Sequence, residues 1–107
     1  IFVLSFFLFN NTYNIKKDFE KAFNYRLTWN CEEFLNYLYD STHLYNNCIN
    51  EKNRNLPGPI KNFTILNITI SNWIAYLQVE LTREKTYIVN YQMKKINYVW
   101  KIKSENK

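Results

Sequence analysis

Asp40 and His43 are the pair best spaced for acid–base chemistry in this chain. Three residues apart on a helix, a carboxylate and an imidazole are neighbours, and the first could orient the second as a proton carrier. Asp40, Ser41 and Thr42 are all cap formers, however, so the local pattern sets the pair at an exposed helix start instead of inside a cavity. Nothing else assembles a reaction centre. The single histidine and the two cysteines, Cys31 and Cys48, have no CxxC or zinc-ligand spacing, and no nucleophile, base and orienting acid stand together. Gly58 is the only glycine, so no glycine-rich loop can cradle a pyrophosphate or triphosphate. The chain reads as a non-enzyme that needs no cofactor and no metal.

Aromatic rings are the other chemically useful stock, at 19% of 107 residues. Tyr76, Tyr87, Tyr91 and Trp100 are expected nearest any ligand pocket, where they would supply apolar walls with polar edges. Cys31 and Cys48 allow two readings. In an oxidising compartment a disulfide between them would contribute roughly 3 kcal/mol in the chain-entropy account, whereas in a reducing one they would be buried thiols.

The elements that must position these groups follow from periodicity. Ile15, Phe19, Ala22, Phe23 and Leu27 recur at helical spacing opposite Lys16, Lys17, Asp18, Glu20 and Lys21, which predicts an amphipathic helix over 14–29. Asn30 with Glu33 reads as a capping box opening a second helix that buries Phe34, Leu35 and Leu38. A short third turn through Leu44 and Tyr45 follows. Residues 50–62 hold Pro57, Gly58 and Pro59 and read as a loop.

Four strands come after it. In 63–70 the apolar phase changes between Ile65 and Leu66, the mark of a bulge. Ser71-Asn72 turns the chain, and Ala75, Leu77, Val79 and Leu81 then keep a clean period of two. Tyr87, Val89, Tyr91 and Met93 form the core face of the next strand; Tyr98, Trp100 and Ile102 form that of the last, across a turn in which Asn97 takes the left-handed conformation. Helices first and strands after predict an α+β domain, with N-terminal helices packed on a curved four-stranded antiparallel meander.

The net charge of +5 is concentrated late: residues 83–107 carry seven Lys or Arg against Glu84 and Glu105, and the rest of the chain is balanced. A nucleic-acid platform would need its rings exposed among basic residues. Here the rings share faces with Val89, Met93 and Ile102, which belong in a core, so nucleic acid is not expected. The opening Ile-Phe-Val-Leu-Ser-Phe-Phe-Leu-Phe has the length of a signal h-region or of a membrane-anchor remnant. The chain is thus divided into an apolar segment at 1–13, able to associate with a membrane through residues 1–9, and one domain at 14–107. The N-x-Thr sequons at Asn10, Asn62 and Asn67 barely exceed the roughly two that chance supplies in so Asn-rich a chain.

A helical first half, a meander whose hairpin reads VELTREKTYIVNYQMKK, and a last strand with Trp100-Lys101-Ile102 together resemble the nuclear-transport-factor-2-like (cystatin-like, SnoaL-like) superfamily. The resemblance implies a cone-shaped sheet wrapped on a helix, often dimeric through the sheet, with a pocket that is catalytic in some members and structural in many. Catalytic members place an Asp, or an Asp with a His, in that pocket, whereas both aspartates here, Asp18 and Asp40, precede the sheet. The same element order also resembles the periplasmic domains of type IV secretion scaffold proteins, although the Asn-Pro-Leu-Gly-Phe stretch of that family is missing. The expected function is a non-catalytic, extracytoplasmic domain, secreted or membrane-tethered, that binds a protein partner or a small apolar ligand. A small acid–base enzyme of the same superfamily is the alternative.

Overall fold

The segment that carries Ile15, Phe19, Ala22 and Phe23 is helical in the structure, a computed structural model that describes residues 2–54 and 60–106, with side chains from Asn11 onward. Helix α1 spans Phe2–Leu27, so it begins earlier than periodicity predicts and runs unbroken past residue 13. The export or anchor reading of 1–13 concerns mainly residues 1–10, whose side chains lie outside the described residues. Among the described residues no helix is long and apolar enough to cross a membrane.

α1 ends in a Schellman closure. Asn30 N–H donates to the Tyr25 carbonyl at 2.8 Å and Trp29 N–H to that of Arg26 at 3.3 Å, with Trp29 at φ 57° where glycine is usual. That closure fixes the backbone of Asn30, whose side chain makes no cap hydrogen bond with the next helix. The expected capping box is therefore absent. Glu33 instead accepts a 3.5 Å hydrogen bond from Asn36.

Helix α2 (Cys31–Leu35) buries Cys31 and Phe34 but leaves Leu35 exposed, because five residues make little more than one turn and only one side of it meets the core. Helix α3 (Thr42–Arg54) is a full thirteen residues, not a short turn. It reaches five residues into the expected loop. A disulfide joins Cys31 to Cys48, with Cα atoms 5.8 Å apart, and so pins α3 to α2.

Strands β1 (Asn62–Ser71), β2 (Ile74–Thr82), β3 (Thr86–Ile96) and β4 (Val99–Asn106) form one antiparallel sheet in the order β1-β2-β3-β4. The expected bulge in β1 is present: the register slips between Ile65 and Asn67. Leu66 is the extra residue, which keeps Phe63, Ile65, Ile68 and Ile70 on the inner face. Val89, Tyr91 and Met93 are buried as expected, whereas Tyr87, near the strand start, is half exposed. Tyr98 departs from the expected core set. It lies in the β3–β4 turn at φ 68°, after Asn97 at φ 51°, and is almost fully exposed.

The core forms where Ile15, Phe19, Ala22 and Phe23 of α1 meet the inner face of the sheet. Phe19 and Phe23 stack with ring centroids 4.5 Å apart, and both meet the Tyr91 ring at 5.2–5.3 Å. The outer edge of β4 is covered. Ile102 exchanges backbone hydrogen bonds with Tyr37 and Tyr39, and Asp18 of α1 accepts the Trp100 N–H at 2.9 Å. With those donors taken, the Trp100–Ile102 stretch of the edge is closed to further pairing.

Candidate ligand cleft

At the end of the sheet where β2 turns into β3, α1 delivers an arginine into the interior. Arg26 follows Ala22 and Phe23 at helical spacing and is 6% exposed. A guanidinium so buried requires a partner. Glu51, in the last turn of α3, supplies it: Arg26 Nη1 lies 2.8 Å from Glu51 Oε2, and Arg83 Nη1, from the β2–β3 loop, lies 3.1 Å from Oε1. A carboxylate at a helix C-terminus faces the negative end of the helix dipole, which two arginines offset. Burial acts to raise the Glu51 carboxyl, but the hydrogen bonds and charges of Arg26, then of Arg83, outweigh it and hold the group below its ordinary 4.5.

Beside this network a second pair closes the site. Tyr91 O–H donates to Glu105 Oε2 at 2.5 Å. Glu105 reaches Tyr91 only because β4 bulges. Met93 pairs with Ile102, yet Gln92 pairs with Ser104 and Tyr91 with Glu105, so Lys103 is the extra residue that turns Glu105 to the inner face. Ser41, itself buried, donates to the Ile102 and Lys103 carbonyls and holds the bulge from the α2–α3 connection. Burial first, then the charge and hydrogen bond of Glu105, push the Tyr91 phenol far above its usual value, against the lowering charges of Arg26 and Arg83.

Of these groups, Glu51, Arg83 and Glu105 line an outer cleft of about 410 Å³ between α3 and the β2–β3 end of the sheet. Leu81 and Val89 form its apolar wall, Tyr87 stands on it, and Asn47, Glu51, Arg83 and Glu105 supply the polar atoms. An inner recess of about 30 Å³, room for a single water, continues toward Phe23, Phe34 and Tyr91. Asn47, Arg83 and Glu105 border both spaces and so form the throat. With Glu51 fixed as an anion and Tyr91 fixed as a neutral donor, the cleft presents standing charges and hydrogen bonds.

The four aromatic residues expected near a pocket are dispersed. Tyr87 and Tyr91 line the cleft and its recess. Trp100 is buried in the core beside Asp18. Tyr76 faces the other way, in a shallow groove of the outer sheet face where Asn67, Gln78, Asn90 and Asn106 form one row across all four strands. Asp40 and His43 are both exposed. Among the described residues no cluster of three or more His, Cys, Asp or Glu could hold a metal ion.

Sequence reasoning missed Arg26, Asn47, Glu51, Arg83 and Glu105. Arg26 alone left a signal, as a charge in phase with the apolar stripe of α1.

No family model matches the chain, and no curated protein does. Among solved structures, the chain is similar to a Campylobacter jejuni protein provisionally named an NTF2-like transpeptidase, at a TM-score of 0.54 and 14% identity. The match covers 78% of this chain and 92% of the other. Three helices and a four-stranded antiparallel sheet in this arrangement are an NTF2-like fold of the α+β class.

Proposed function

We propose that this chain is a non-catalytic binding domain of a secreted or membrane-tethered protein, and that it takes a small apolar ligand in the cleft between α3 and the β2–β3 end of the sheet. One observation carries the reading: the cleft joins an apolar wall, Leu81 and Val89, to the ion-paired Glu51 and Arg83. A volume of about 410 Å³ with a few convergent polar atoms suits a small molecule. Proton transfer would need a group poised near neutrality. Glu51 is shifted down and Tyr91 up, each away from that range.

The name of the structural neighbour raises acyl transfer as a rival reading. Such chemistry calls for an activated nucleophile. The side chains lining the cleft and its recess include no Ser, Thr or Cys, and at 14% identity the likeness speaks for the fold alone. An oxidising compartment is supported by the Cys31–Cys48 disulfide, and a tether by the apolar opening of the sequence.

The test uses N-phenyl-1-naphthylamine, a neutral apolar fluorophore. Its emission should rise saturably on adding the protein, and Asn47→Trp, which fills the throat from an exposed helix position, should weaken binding about tenfold or more. Tyr76→Ala, on the opposite face, should leave binding unchanged. No binding, or binding indifferent to Asn47→Trp, contradicts the proposal.

A further inference from the structure

The meander places the β1–β2 and β3–β4 turns at the same end of the sheet, opposite the cleft. Each turn has two central residues at positive φ: Asn72 at 52° and Trp73 at 66°, Asn97 at 51° and Tyr98 at 68°. This is the type I′ pattern, whose second position glycine fills most cheaply. Both turns instead hold a large aromatic residue there, in a region that disfavours bulky side chains. Both rings are bare: Trp73 is 81% and Tyr98 92% exposed. Two turns therefore bear two unfavourable features each, at one end of the molecule.

On the strand segments that carry the tips the charges share one sign. Lys94 and Lys101 pair across β3 and β4 on the outer face, where Lys94 also lies over the Tyr39 ring at 5.2 Å, and Lys95, paired with Trp100 on the inner face, is exposed beside the tip. From Leu66 to Val79 and from Ile88 to Ser104 the strands carry no Asp or Glu. Helix α1 leads to the same end. Arg26 is tied to Arg83 through Glu51 at the cleft end, whereas Asp18 bonds Trp100 two residues from the β3–β4 tip. The axis from Arg26 back to Asp18 thus points toward the tips, and at about 1.5 Å per residue the helix continues that way to Phe2. Its first eight residues read FVLSFFLF.

We infer that this end of the domain sits on an anionic lipid surface, with Trp73 and Tyr98 at the headgroup level and Lys94, Lys95 and Lys101 over the phosphates. Trp and Tyr favour that interface because one side of each ring is apolar and the other carries a hydrogen-bonding group. Lysines near an anionic leaflet each add attraction that salt screens. The inference rests on the membrane-tethered form of the function proposed above. It adds that the folded domain itself touches the bilayer, which turns the cleft away from it.

Full-length oxidised protein is mixed with phosphatidylcholine vesicles containing about 30% phosphatidylglycerol, with and without brominated acyl chains. The emission of Trp73 is isolated as the difference between wild type and Trp73→Phe. That difference should shift to the blue and lose about half its intensity to the brominated lipid. Lys95→Glu with Lys101→Glu, or raised salt, should weaken the quenching severalfold. If the chain co-sediments with vesicles while Trp73 stays unquenched, the tether stands and this docking surface is overturned. If the chain does not co-sediment at all, both fail. A concentration-dependent dimer that Trp73→Ser with Tyr98→Ser abolishes, with Trp73 unquenched by lipid, would make the tips a self-association surface and also overturn the inference.

Discussion

The two ends of the sheet treat their costly groups in opposite ways. At the β2–β3 end, Arg26, Arg83 and Glu51 are paired with one another, and Tyr91 is paired with Glu105. At the other end Trp73 and Tyr98 meet water on strained turns. Groups that are matched inside the fold serve the fold and shape a cavity. Groups left bare at a local disadvantage contribute little to folding, and their use lies in contact with something outside.

The contrast is broken most severely at the paired end. Arg26→Ala strands the buried Glu51 carboxylate with one partner, and unfolding in denaturant should reveal a loss of roughly 3–5 kcal/mol. A loss under 1 kcal/mol would mean that the network is solvated and the comparison false. Next in size is the disulfide that holds α3 over the cleft. Cys31→Ala with Cys48→Ala should cost about 3 kcal/mol and should loosen the cleft more than the tips, measured by amide exchange.

The first of these predictions rests on a residue that was partly legible in the sequence. Arg26 fell in phase with Phe19, Ala22 and Phe23, and a charge on a buried stripe announces a partner. The partner did not announce itself. Glu51 lies in the Asn-rich α3, where only Leu44 and Cys48 are buried, too few to set a helical period. Glu105 was hidden for another reason: its direction depends on a bulge held by Ser41, distant in sequence, and a period-two count through Ile102 cannot see such a contact. The bulge in β1 was visible because it interrupts an apolar alternation that the bulge in β4, among Lys, Ser and Glu, does not disturb. The strand phases of Ala75 to Leu81 and Val89 to Met93 were legible because one buried face imposes them.

A smaller effect comes from pH. Because the folded-state pKa of Glu51 lies below its ordinary 4.5, the network stabilises the fold above that pH, and its contribution is lost as pH falls through the lowered value. Wild-type Tm should drop through this acid range, and Glu51→Gln should remove that part of the slope. Smallest, and of opposite sign, is the effect at the tips. Trp73→Gly and Tyr98→Gly should each leave stability unchanged or raise it by up to about 1 kcal/mol, since glycine relieves the left-handed strain. A loss above 1 kcal/mol in either variant would place that ring in the fold's own economy and erase the distinction.

The proposed binding role depends above all on the cleft being where a ligand goes. Amide hydrogen exchange of the full chain with and without N-phenyl-1-naphthylamine tests this directly. Protection confined to α3 and to the facing ends of β2 and β3, around Glu51, Leu81 and Val89, is the predicted result. Protection across the outer sheet face around Tyr76 and Gln78, with α3 unchanged, would contradict it.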